Sequence, residues 1–148
     1  MILLDTNLLA RLTSTMHPHG SVARAAIHRI LARREQLAIV PQNLYEFWAV
    51  ATRNSGQRPI GENGLGLTIA QASQWLEFFQ RRFVLLPDRS DLVSRWHELV
   101  KSLEIRGFRA HDARLAAAMQ CYGISRLLTF NGADFKDLPV TVVDPMVL

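Results

Sequence analysis

One cysteine, Cys121, is all that this 148-residue chain contains. No internal disulfide can hold the fold, which suits a protein of a reducing compartment. Lysine is almost as scarce: Lys101 and Lys136 are the only two among 17 basic residues, which leaves 15 arginines. No apolar run nears the roughly 20 residues that cross a bilayer. No basic stretch precedes the apolar start, which Asp5 interrupts. Neither a membrane span nor a secretory leader is therefore expected, and the chain reads as soluble and cytoplasmic. A phosphate-cradling glycine loop is missing too, since Gly61-Glu62-Asn63-Gly64-Leu65-Gly66 has neither Walker spacing nor a lysine. No serine or cysteine sits in a recognisable nucleophile context, and no paired histidines or cysteines suit zinc.

What is present is ordinary globular composition, 49% hydrophobic and 20% charged, in a length that suits one domain over residues 1–148. The formal charge is +4. Arginine's planar fork matches phosphate, but GC-rich codons also favour arginine, so charge alone assigns no partner. Short apolar runs at Ile2–Leu4, Leu37–Val40, Phe83–Leu86, Arg126–Phe130 and Val140–Val143 read as strands. Between them, helical periodicity runs through Ser21–Arg34 (Val22, Ala25, Ala26, Arg29, Ile30, Arg33), Gln42–Arg53 (Leu44, Phe47, Trp48, Ala51) and Thr68–Arg82. Two more helices are expected: one capped by Ser90 and running to Leu103, carrying Val93, Trp96 and Val100, and one from Ala110 to Tyr122, ended by Gly123. Asn54–Gly66, rich in glycine, reads as a loop. Strands alternating with helices predict an α/β sandwich on a parallel sheet of about five strands.

Ligands of open α/β sheets bind beyond the carboxyl ends of the strands. Asp5 stands at that end of the first strand, and Asp134 lies four residues past the fourth. Asp112 falls in line with Leu115, Ala116 and Met119, on a stripe that should face the core. A carboxylate there is costly unless something positive meets it, although a helix N-cap is an equal reading for Asp112 and the better one for Asp5 beside Thr6 and Asn7. Periodicity turns Glu46 away from its helix's apolar face, towards solvent. His111 could be a base, but beside Asp112 in a first helical turn it reads rather as a local hydrogen-bond partner; His17 and His19 read as loop residues, and Cys121 as a small core residue. Three or more carboxylates without histidine or cysteine partners suit magnesium or manganese.

Four segments, in order, resemble the PIN-domain family and, within it, the VapC toxins of bacterial toxin–antitoxin pairs. Ile2-Leu3-Leu4-Asp5-Thr6-Asn7-Leu8-Leu9 is similar to the first motif, Leu44-Tyr45-Glu46-Phe47 to the second, and His111-Asp112-Ala113 to the third. Leu128-Thr129-Phe130-Asn131-Gly132-Ala133-Asp134-Phe135 resembles the last, and Asn63-Gly64-Leu65-Gly66-Leu67 after Arg58-Pro59 is similar to a loop of one VapC subgroup. The resemblance covers Ile2 to about Val143. It implies a three-layer α/β/α fold, often with strand order 3-2-1-4-5. It also implies a homodimer, and restraint by a small VapB-like antitoxin whose tail enters the acidic site. The implied activity is hydrolysis of RNA, single-stranded or tRNA-like, with Mg2+ or Mn2+ held by Asp5, Glu46, Asp112 and Asp134. Thr6, Asn7, Thr129 and Asn131 would support the carboxylates or the scissile phosphate, and arginines at the rim would hold the RNA backbone. Some relatives carry aspartate where this chain has Asn131, so the fourth acid is either Asp134 or a partial substitute. Apolar cover by the partner would fall on Leu8, Leu9 and Leu12 or on Ile27, Ile30 and Leu31.

Rival readings remain. A non-catalytic RNA- or partner-binding scaffold would be free to lose the four acids. An aspartyl phosphatase of the haloacid-dehalogenase kind would want an aspartate where Asn7 stands. A PIN nuclease of RNA processing, outside any toxin pair, has the same sequence features.

Overall fold

A computed structural model of the chain describes residues 1–56 and 64–148. In chain order it contains β1 (Ile2–Leu4), α1 (Thr6–Thr13), α2 (Pro18–Ala32), β2 (Leu37–Ile39), α3 (Pro41–Thr52), α4 (Ile69–Arg82) and β3 (Val84–Leu85). Then follow α5 (Leu92–Ser102), α6 (Arg109–Cys121), β4 (Arg126–Leu128), a 3-10 turn (Gly132–Phe135), β5 (Thr141–Val143) and a last 3-10 turn (Pro145–Val147).

The sheet has the order β3-β2-β1-β4-β5, and every pairing is parallel. β1 lies at its centre, with Leu3 in register with Ala38 on one side and Leu127 on the other. Because strand side chains alternate, Leu3, Ala38 and Leu127 pack under α5 and α6 against Leu92, Leu99, Leu115 and Met119. Ile2, Leu4, Leu37, Ile39 and Leu128 face the other way, onto Leu8, Ile27, Ile30, Phe47 and Phe79 of α1–α4. Helices thus cover both faces of the sheet, the three-layer α/β/α arrangement. Burial on both faces is why β1 reads as an unbroken apolar run instead of an alternating one.

The elements differ from the sequence expectation in instructive places. Pro18 starts α2 three residues early, as proline suits a first helical turn, and His17 caps it by accepting the His19 N–H at Nδ1, 3.1 Å. His17 and His19 are therefore helix-start residues, and His19 stacks on Phe130 at 4.5 Å. The inward stripe of α2 is Ala23, Ala26, Ile27 and Ile30; Ala25 and Arg29 are exposed. In α5 the cap position belongs to Asp91, not Ser90, and the buried residues are Leu92 and Leu99 while Val93 is 71% exposed. A charged, arginine-bearing helix offers several overlapping stripes, and only packing selects among them. Leu8, Leu9, Ile27 and Ile30 are buried in the chain's own core, so they offer a partner no apolar surface. Cys121 is buried as expected, and Gly123 ends α6 with φ of +64°. The expected loop at 54–66 lies partly outside the described residues, at 57–63.

Candidate active site

The carboxyl ends of β1 and β4 deliver two short turns to one edge of the sheet. The ladder extends just beyond the strands, with the Asp5 N–H donating to Leu128 O (3.0 Å) and the Thr129 N–H to Val143 O (3.2 Å). Asp5 is the N-cap of α1 and accepts the Thr6 N–H at 2.6 Å. Its other oxygen accepts from Asn7 Nδ2 (2.8 Å) and Thr129 Oγ1 (2.6 Å). The capping reading of Asp5 is thus correct and compatible with a second use, because the cap holds the carboxylate rigidly at the strand end.

Thr129 is 1% exposed, and its hydroxyl is fully committed. It donates to Asp5 while its lone pairs accept from Asn7 Nδ2 (3.0 Å) and the Asn131 N–H (2.9 Å). Thr6 plays the matching part on the other side, donating to Glu46 Oε2 at 2.7 Å and accepting from Asn43 Nδ2 at 3.3 Å.

Glu46 is where helical periodicity misleads. It is half-buried and faces the site, because α3 packs beside α1 and its flank, not only its apolar stripe, is covered. Its Oε1 accepts from Gln42 Nε2 at 2.7 Å. Gln42 and Asn43 are site residues that the sequence reading missed. Gln42 Oε1 accepts from Arg114 Nη1 (2.8 Å), and an arginine can only donate, so the amide nitrogen must point at Glu46 and the His111 carbonyl (2.9 Å). Arg114 is itself anchored on Asp88 at 2.8 Å. Asn43 accepts the Val40 N–H (2.8 Å) and donates to Leu4 O (3.1 Å), tying the start of α3 to the end of β1. The sequence shows only two amides directly after Pro41, and that they are buried emerges from the structure alone.

Asp112 lies inside the first turn of α6, whose cap position is Phe108. It accepts no side-chain hydrogen bond from a described residue and does not pair with His111, whose side chain is exposed. The capping reading of Asp112 is not what the structure has. Asp134 is exposed, in the turn after β4. The Asn131 side chain lines the adjoining cleft, not the carboxylate network.

Among the described residues none of the four acids forms an ion pair. Desolvation pushes Asp5 from the ordinary 3.8 up to about 6; the Thr129 and Thr6 hydrogen bonds oppose the rise, and the charges of Glu46 and Asp134 add to it. Asp112 is likewise raised to about 6, chiefly by desolvation, then by Asp134, Asp5 and Glu46, against weak relief from Arg109. The four carboxylates therefore share one electrostatic field. Among the described residues no three such side chains close a cage around a single ion in this arrangement. The donor set is all oxygen and forms no ion pair among the described residues, a chemistry that would suit a hard divalent cation.

The family model of the PIN domain matches residues 2–140. The chain belongs to the PIN domain family. No curated protein matches it. Solved structures share the PIN fold over nearly their whole lengths. A VapBC complex from Rickettsia felis bound to a promoter DNA fragment has a TM-score of 0.69 at 18% identity, over 97% of this chain and 98% of that one. A toxin–antitoxin complex from Klebsiella pneumoniae gives 0.66 at 23% identity over 98% of both chains. A Mycobacterium tuberculosis VapC toxin that cleaves the sarcin–ricin loop gives 0.64 at 18% identity, over 92% of this chain and 94% of that one. Within this PIN domain the acids come from three layers: Asp5 and Asp134 from turns at the sheet edge, Glu46 from the helices on one face, Asp112 from α6 on the other.

Proposed function

We propose that this PIN domain is a Mg2+- or Mn2+-dependent endoribonuclease, the VapC-like toxin of a toxin–antitoxin pair. The observation that supports the reading is the mutual electrostatic influence of four acids that form no ion pair among the described residues, with Asp5, at the carboxyl end of the central strand, and Asp112 both raised to about 6. Such a cluster costs stability unless a cation shares it. Asp5 and Asp112 would be the direct ligands, with Glu46 and Asp134 completing the set. A divalent ion bound there supplies charge neutralisation at the phosphodiester and a more acidic attacking water.

The chain's own residues hold the geometry. Thr129, Asn7 and the Thr6 N–H fix the Asp5 carboxylate against rotation. Thr6 and Gln42 clamp both oxygens of Glu46. Asp112 takes no hydrogen bond from a described residue, which would leave its lone pairs for a ligand. Hydrolysis adds water across the P–O bond, leaving one fragment with a phosphate and the other with a hydroxyl, and the proton lost by the water needs a carboxylate acceptor. Glu46 or Asp134, whichever does not complete the ligand set, would orient the water and take that proton.

The restraining partner is proposed from the neighbours that are toxin–antitoxin complexes; a basic tail entering the acidic cluster would compete with metal. A homodimer is part of the same reading. Purified protein should cut single-stranded or tRNA-like RNA with Mg2+ or Mn2+ and stop in EDTA, and the wild-type chain expressed alone should slow host growth where Asp5→Asn does not. Undiminished cutting in EDTA refutes the metal reading. Harmless accumulation of active protein refutes the toxin reading.

A further inference from the structure

A cleft of about 490 Å3 opens beside the carboxylates, within the size range of small-ligand sites. Thr6, Asn7, Glu46 and Asn131 line its acidic end, and Arg11 and Arg53 its other side. Between them lies an apolar wall of Ala10, Ala49, Val50 and Leu65. Arg81, Arg89, Arg95, Arg109, Arg114 and Arg126 each meet a carboxylate. Arg11 and Arg53, like Arg24, Arg33, Arg34, Arg82 and Arg106, form no ion pair among the described residues, but these two are the arginines that line the cleft, and Arg53 Nε is buried with no hydrogen-bond partner among the described residues. A buried guanidinium N–H without an acceptor costs free energy.

Arg53 is also held in place. The segment after the described gap returns across the end of α3, and the N–H groups of Leu65, Gly66 and Leu67 donate to the carbonyls of Val50 (3.0 Å), Arg53 (2.9 Å) and Ala51 (2.8 Å). Gly64 passes so close that a Cβ there would lie 2.2 Å from Arg53 O. These bonds satisfy carbonyls that a helix end otherwise leaves open, and they set Leu65 into the cleft wall. Gly64 and Gly66, the described glycines of the run that matched no phosphate loop, thus fix the backbone at Arg53.

We infer that Arg11 and Arg53 clamp the phosphodiester of the nucleotide next to the scissile one, with its ribose and base against the Ala10–Ala49–Val50–Leu65 wall. The inference rests on the ribonuclease reading and names its substrate register: one unpaired nucleotide enters this cleft while its neighbour's phosphate sits at the carboxylates. Arg11 and Arg53 are substrate-positioning residues. Two forks on one phosphate give directional hydrogen bonds that a lysine point charge does not.

The test measures binding apart from cleavage. In an Asp112→Asn background with EDTA, fluorescence anisotropy of a labelled single-stranded RNA oligonucleotide is followed against KCl. Arg11→Gln and Arg53→Gln should each weaken binding by about tenfold and flatten the log K against log salt line by about 0.7. Arg53→Lys should restore the slope but not the full affinity, and Lys101→Gln, on the opposite face of the sheet, should change neither. Thermal melts confirm that each variant is folded. Wild-type affinity and slope in both arginine variants would overturn the inference and leave the nuclease reading standing. Arginine-dependent binding by a wild-type chain that cuts no RNA with any divalent ion would do the reverse.

Discussion

Replacing Asp112 by asparagine separates the two roles that a carboxylate on α6 can have. Asp112 is half-buried, takes no hydrogen bond from a described residue and is raised from 3.8 to about 6 by desolvation and by Asp134, Asp5 and Glu46. At 1.36 kcal/mol per pH unit, that gap corresponds to roughly 3 kcal/mol against the ionised fold. Part of this is screened by solvent and shared among the coupled acids, and a charge in a first helical turn regains about 0.3–1 kcal/mol from the helix dipole. The net gain on substitution should be about 1–2 kcal/mol at pH 8 without metal. For a domain of this size that raises the Tm by about 2–8 °C. The pH dependence carries the diagnosis. Below 3.8 the carboxyl is protonated in both the folded and unfolded chain, so the variant and wild type should melt alike. Between 3.8 and about 6 the unfolded chain releases its proton first, so wild-type stability falls as pH rises; above 6 the difference is constant. Differential scanning calorimetry in EDTA from pH 3 to 8 reads this directly. A variant Tm that is lower at pH 8, by the roughly 0.5–2 kcal/mol of a lost cap, would refute the reasoning.

Thr129→Val should raise Asp5 further above about 6, because the Thr129 hydroxyl is the largest influence holding it down, and should cost about 1–3 kcal/mol by stranding the Asn7 and Asn131 N–H donors; carboxyl NMR titration and denaturant melts check both. Gln42→Leu should lower kcat more than it raises KM, since it frees Glu46 Oε1 and leaves Arg114 without its amide acceptor; an unchanged kcat would deny Gln42 its positioning part. Gly64→Ala should destabilise by about 1–3 kcal/mol through the clash with Arg53 O and weaken RNA binding without altering the pKa of Asp112.

The fold was largely legible because β1, β2 and β4 are buried on both faces and show as apolar runs, the first two bounded by Asp5 and Pro41. Strand ends shifted by a residue or two, since apolar character outlasts hydrogen-bonded pairing. Asp5 and Asp112 stood out locally, one at a strand end and one on a buried stripe. Glu46 did not, because its helix is covered on more than its apolar face, and only the resemblance brought it in. Gln42, Asn43 and Arg114 were illegible for another reason: their importance lies in hydrogen bonds spanning 37 to 72 residues of sequence. Periodicity carries no record of such partners. The arginine bias gave no guide to which cations serve the site, because several arginines form no ion pair among the described residues, and only the lining of the cleft singles out Arg11 and Arg53.

Binding of Mn2+, titrated calorimetrically into metal-free protein, tests the carboxylate centre most directly. The wild type should bind at pH 8, bind more weakly as pH falls through 6 and protons compete at Asp5 and Asp112, and lose the site in Asp5→Asn and Asp112→Asn while both remain folded. RNA cleavage should follow the same occupancy. Binding of equal strength in wild type and both variants, or none in the wild type while RNA is still cut, would contradict it.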